Sequence, residues 1–171
     1  MSRTTTAQNQ TAATPLRKGG SPLHAPIAHI VVGAYATAVV CDLLSVAKTG
    51  SSATQHDLFR AGTFSMMVAT GTLFVAVIAG LIDRSRYTAA GSVQRRKTNI
   101  HMTLMLCVGV VAIVDIVVRR HTSDDAVRTP VGVLILTLAV GTLLFFGGML
   151  GGRLVYRLGV ATAAGAPETG R

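Results

Sequence analysis

The sequence predicts an all-α fold, a four-helix transmembrane bundle with both termini in the cytoplasm. Three observations carry this. Half of the 171 residues are hydrophobic and only 13 % are charged, with a positive mean hydropathy, a balance that soluble domains of this length rarely show. Four long apolar stretches follow one another, over about 27–47, 62–82, 102–118 and 131–150. The Lys and Arg residues fall unevenly between the intervening segments.

Each stretch is justified by its length. A helix needs roughly 20 apolar residues to cross about 30 Å of hydrocarbon. Three stretches meet this directly, and the third does so with flanking arginines reaching to the headgroups. Runs this continuous read as helices rather than barrel strands, because lipid offers no partner to an unpaired backbone amide. Residues 1–20 are rich in Thr, Ala, Gln and Gly without periodicity and are expected to form a disordered cytoplasmic tail. The apolar run behind them is a full span with no small-residue cleavage site, so it is not a secretory signal. Pro26 suits the first turn of the first helix. The membrane domain is expected over 21–160, with a second cytoplasmic tail over 161–171. Segments 48–61 and 83–100 read as polar connections, and Pro130 opens the fourth span.

The net charge of +9 does not indicate nucleic acid, since no aromatic residues interleave with the basic ones. Eleven Lys and Arg residues fall in the two tails and the second connection, against five in the first and third connections, Arg119 and Arg120 among them. By the positive-inside rule this puts both termini in the cytoplasm. Cys41 and Cys107 lie in different spans outside any CxxC or Cys/His cluster and read as buried free thiols.

Polar residues within the apolar runs are the candidates for chemistry. His29 and His101 lie on different spans near the same boundary, the common depth at which a b-type haem takes two axial imidazoles. Arg84, Arg96, Lys97 and Arg153 are at that level to meet its propionates, and His24, read as just outside the first helix, is a reserve ligand or propionate partner. Histidine also sits comfortably at an interface without any ligand. His56 and His121 are expected to be solvated in the outer loops, and no metal motif is present. Asp42 and Asp115 are the acidic residues inside the spans; such groups are suspects for proton or ion handling. Asp115 precedes Arg119 by one helical turn, which predicts a local pair near the headgroups. Asp42 is expected to hydrogen-bond or cap a neighbouring helix. Gly147, Gly148, Gly151 and Gly152 make two overlapping GxxxG patterns, suited to close packing within the bundle or to a homodimer seam. Gly62, Gly71 and Gly80 recur every nine residues, about two and a half turns, so they are not expected to share one face and are read as serving local packing.

Three segments carry a resemblance. "LHAPIAHIVVGAYATAVVCDLL", "AGLIDRSRY" followed by "RRKTNIH", and "GGRLVYRLGV" together resemble the bacterial domain-of-unknown-function family 2231, predicted four-helix inner-membrane proteins. The similarity covers roughly 21–160 and picks out His24, His29, Asp42, Asp83, His101, Gly151, Gly152 and Tyr156. The chain departs from the family's Leu-His-Pro and His-Phe-Pro, carrying Ala25 and Ile30-Val31 there. The resemblance implies the membrane topology. Because some members are fused to Rieske-type iron–sulfur domains, it also implies electron transfer, here with a redox partner on a separate polypeptide.

Two function classes therefore fit: a scaffold or accessory membrane subunit, and a haem-b electron-transfer protein using His29 and His101. Proton or ion handling through Asp42 and Asp115 is a third. No nucleophile–base pair, phosphate loop or paired-carboxylate site supports an enzymatic mechanism. The lipid bilayer is the partner common to all three readings.

Overall fold

The computed structural model describes residues 23–158 and Val160; the tails expected over 1–20 and 161–171 lie outside the described residues. Four helices follow in order: α1 (His24–Val46), α2 (Ser52–Tyr87), α3 (Val93–Thr122) and α4 (Val131–Leu158). All four are long and apolar enough to cross a membrane. Large apolar side chains such as Ile30, Ile78, Val110 and Phe145 are more than half exposed on the outer faces, which is what helices solvated by lipid require.

The helices outrun the apolar stretches. α2 starts at Ser52 and α3 at Val93, so most of the polar segments 48–61 and 83–100 is helical rather than loop. Hydropathy marks the hydrocarbon thickness, whereas a helix continues wherever its backbone is paired and capped. Ser51 caps α2 by accepting from the Thr54 amide at 3.2 Å, and Ser92 caps α3 by accepting from Arg95 at 3.1 Å. The turns before these caps use left-handed backbone at Lys48, Gly50 and Gly91.

Each helix packs on its two sequence neighbours around a ring that α1 and α4 close, while the diagonal pairs α1/α3 and α2/α4 make no backbone contact among the described residues. The α1/α2 interface is the most extensive and α1/α4 the least, so the bundle is two helical hairpins set against each other. Small residues allow the tight first pair. Ala38, Ala69 and Ala76 are buried, and Gly62 and Gly80 both face α1 from α2. Against the expectation that the spaced glycines share no face, these two are about five turns apart and lie on the same one; only Gly71, between them, points elsewhere and meets nothing within 4 Å.

The axis is layered. Its middle is apolar, built from Val31, Tyr35, Met66, Leu73, Val108, Ala112, Val140 and Leu144, with one hydrogen bond between Tyr35 and Thr70 at 3.0 Å. Polar clusters occupy both ends. One lies at the end bearing the termini and the α2–α3 turn, the other beneath the α1–α2 and α3–α4 connections.

Candidate functional site

At the termini end, His24 on α1 and His101 on α3 meet across the axis, ring centroids 6.0 Å apart and planes at 86°. His24 Nδ1 lies 2.7 Å from the Ala76 carbonyl of α2, and His101 Nδ1 lies 3.1 Å from the Gly147 carbonyl of α4. A carbonyl only accepts, so Nδ1 carries the proton in both rings and Nε2 of each neutral imidazole keeps its lone pair. Gly80 and Gly151 admit the rings: a Cβ on Gly80 would stand 3.3 Å from His24, and one on Gly151 3.1 Å from His101. Asp83 of α2, only 7 % exposed, accepts from the His24 amide at 2.9 Å through Oδ2. It thereby caps α1 from a neighbouring helix, at the end where the helix dipole favours an anion. Asp83 Oδ1 and Arg84 Nε are buried without a hydrogen-bond partner.

His29 is elsewhere. It is exposed on the outer face of α1, its Nδ1 turned back to the Ala25 carbonyl at 2.7 Å. The histidine brought opposite His101 is His24, which is the first residue of α1 and not outside it. The five-residue spacing sends the two histidines to different faces, and it is the earlier one that points inward.

At the other end, Arg119 is fully buried between the two hairpins. Its Nε donates to Asp115 Oδ1 at 3.1 Å, and Nη1 donates to Asp42 Oδ1 and Thr63, each at 3.2 Å. Nη2 donates to Asp42 Oδ2 and, at 2.6 Å, to Thr137. Thr129 donates to Asp42 Oδ1 at 3.0 Å. The Phe59 ring lies 5.5 Å from the guanidinium carbon, close enough for a cation–π contact. Gly62 is required here, since a Cβ would stand 2.9 Å from Asp42 Oδ1. The Ser45 hydroxyl donates to the Gln55 carbonyl at 2.8 Å and accepts from the Thr129 amide at 3.0 Å, tying both connections over the cluster.

The Asp115–Arg119 pair is thus present and fully buried between the helices, and Arg119 is not one of the loop cations. Asp42 is an ion-pair partner across 77 residues of chain. His56, expected to be solvated, is half-buried with Nδ1 2.8 Å from the Ala126 carbonyl. Cys41 is partly buried and Cys107 faces outward, both as free thiols. The two GxxxG patterns separate: Gly147 faces Met105 and Gly151 faces His101, whereas Gly148 and Gly152 meet nothing within 4 Å. Tyr156 is 90 % exposed.

Thr63, Thr129 and Thr137 have no counterpart in the sequence reading. A threonine in an apolar run bonds its own helix as readily as a partner, and their only signal was the nearby pair of acidic residues in the spans.

A family model described as "Predicted membrane protein (DUF2231)" matches residues 20–164. The chain belongs to the DUF2231 family. The match spans all four helices and both polar clusters of this DUF2231 protein. No curated protein and no solved structure matches it.

Proposed function

We propose that this DUF2231 protein is an integral membrane electron carrier that binds a b-type haem between His24 and His101. The observation that carries this reading is the pair of imidazoles meeting across the axis, each Nδ1–H tethered to a carbonyl of a third helix. That tether is what a metal-bound histidine uses to fix its tautomer and aim Nε2. The two rings stand on facing helices with centroids 6.0 Å apart, and His24 and His101 are the residues that would hold the group. The bound haem would supply one-electron chemistry. Arg84, with its unpartnered buried Nε, is the basic residue best suited to pair with a propionate. His29, facing outward, takes no part. The uneven Lys and Arg distribution supports an orientation with the haem end on the cytoplasmic side, and the location that goes with it is a bacterial inner membrane.

A second reading, an accessory or scaffold subunit without a cofactor, is favoured by the packing of the axis. A groove of about 460 Å³ on the α3 surface along Arg96–Cys107 and a cavity of about 110 Å³ between α2 and α3 are not lined by His24 or His101. In that reading the imidazoles are packing groups that satisfy two carbonyls.

The absorption spectrum of detergent-purified protein, expressed with ample haem, separates the two. The haem reading requires a Soret band that shifts on dithionite reduction, loss of that band in His24→Ala and His101→Ala, and its retention in His29→Ala. A flat spectrum, or full haem content in the first two variants, overturns it; the flat spectrum leaves the accessory-subunit reading standing.

A further inference from the structure

We propose that the buried cluster at the connection end binds one proton, carried on Asp115 Oδ2 and donated to Thr137, while Asp42 stays ionised against Arg119. The inference is independent of the haem reading and concerns the opposite end of the axis.

Counting protons leads to it. The five N–H groups of Arg119 have five acceptors: Asp115 Oδ1, Asp42 Oδ1, Asp42 Oδ2, Thr63 and Thr137. The Thr63 hydroxyl proton goes to the Phe59 carbonyl at 2.9 Å, and that of Thr129 goes to Asp42. The Thr137 hydroxyl, which already accepts from Arg119, has one proton of its own. Three oxygens face it: Asp42 Oδ2 at 2.8 Å, the Val133 carbonyl at 3.0 Å and Asp115 Oδ2 at 3.1 Å. An ionised carboxylate against a hydroxyl lone pair is repulsive. A second proton, on a carboxylate oxygen, turns one of these approaches into a hydrogen bond. Asp42 Oδ2 is held by Arg119, whereas Asp115 Oδ2 has Thr137 as its hydrogen-bond partner, so the proton belongs on Asp115.

Charge gives the same answer by a separate route. Asp42, Asp115 and Arg119 are all fully buried, two carboxyls to one guanidinium. An uncompensated charge in such a site costs several kcal/mol, and the group neutralises instead. Two carboxylates sharing one site do not both ionise while a single cation faces them. Among the described residues the surrounding elements supply no second cation: α1 contributes Tyr35 and Cys41 nearby, α2 contributes Phe59 and Thr63, and α4 contributes Thr137. One added proton makes the cluster neutral.

The test is infrared spectroscopy of the full-length protein in lipid nanodiscs at neutral pH, in H₂O and D₂O. A protonated-carboxyl C=O band that shifts in D₂O is expected. It should vanish in Asp115→Asn and move to higher frequency in Thr137→Val, which removes its acceptor. Thermal melting supplies a second measurement. Asp115→Asn, a neutral isostere of the acid, should melt with the wild type, while Asp42→Asn, which strips Arg119 of its counter-ion, should melt well below it. Absence of the band in the wild type, its survival in Asp115→Asn, an unmoved band in Thr137→Val, or equal destabilisation by the two asparagine variants would each overturn the assignment.

Discussion

Arg119 shows how one side chain can join a whole bundle. It satisfies groups on α1, α2, α3 and α4, and each hydrogen bond is made where water does not compete. Arg119→Leu strands Asp42 in the interior and is expected to cost about 3–5 kcal/mol, measured as unfolding free energy in mixed micelles. The Arg120–Asp124 pair is a control one residue away: both side chains are about half exposed, at 51 % and 53 %, and Asp124→Asn should change stability by no more than about 1 kcal/mol. Gly62→Ala places a methyl against Asp42 and should cost about 1–3 kcal/mol by the same assay. At this scale the sequence was only half legible. The Asp115–Arg119 spacing is visible in the helical period, and Asp42 stands out as an acid in an apolar run. That the two belong to one cluster is a property of tertiary packing, with no local pattern to announce it. The histidines make the same point: the sequence pointed to His29 as the partner of His101 and put His24 outside the helix, because which one turns inward depends on helical phase.

The helices themselves were legible where lipid dictates them and blurred beyond it. Apolar runs located all four elements, because a bilayer admits few alternatives to a continuous helix. The polar first turns of α2 and α3 were missed, since hydropathy cannot see a helix that has left the hydrocarbon. Ser51 and Ser92 hold those turns, and Ser51→Ala or Ser92→Ala is expected to cost about 0.5–2 kcal/mol, again by unfolding in micelles. On α4, the two glycine pairs behave differently. Gly147→Ala would drive a methyl into Met105 and should lower the melting temperature. Gly148→Ala has open space and should not. Equal effects from both would show that α4 is rotated relative to this packing.

At the scale of the whole molecule, two hairpins are fastened at the ends of a common axis. Asp42–Arg119 and His24–His101 each reach between diagonal helices that do not touch through their backbones. The orientation proposed for the bundle predicts that single cysteines at Ala90 and Asp125, in a background lacking Cys41 and Cys107, react with a membrane-impermeant thiol reagent from opposite sides. In intact cells position 125 should label and position 90 should not.

The separation of Asp42 from Arg119 along the chain has a consequence for biogenesis. The two residues are 77 positions apart, and ribosomes add roughly 5–20 residues per second. Asp42 is therefore synthesised roughly 4 to 15 s before the guanidinium that pairs with it exists. During that interval Asp42 has no cation, and α1 and α2 must either wait inside the insertion machinery or enter lipid with the carboxyl neutral. Arrival of α3, which carries Arg119, supplies the cation and lets the two hairpins close on the cluster. The residue that fastens the two hairpins is thus also the one whose synthesis completes the buried cluster.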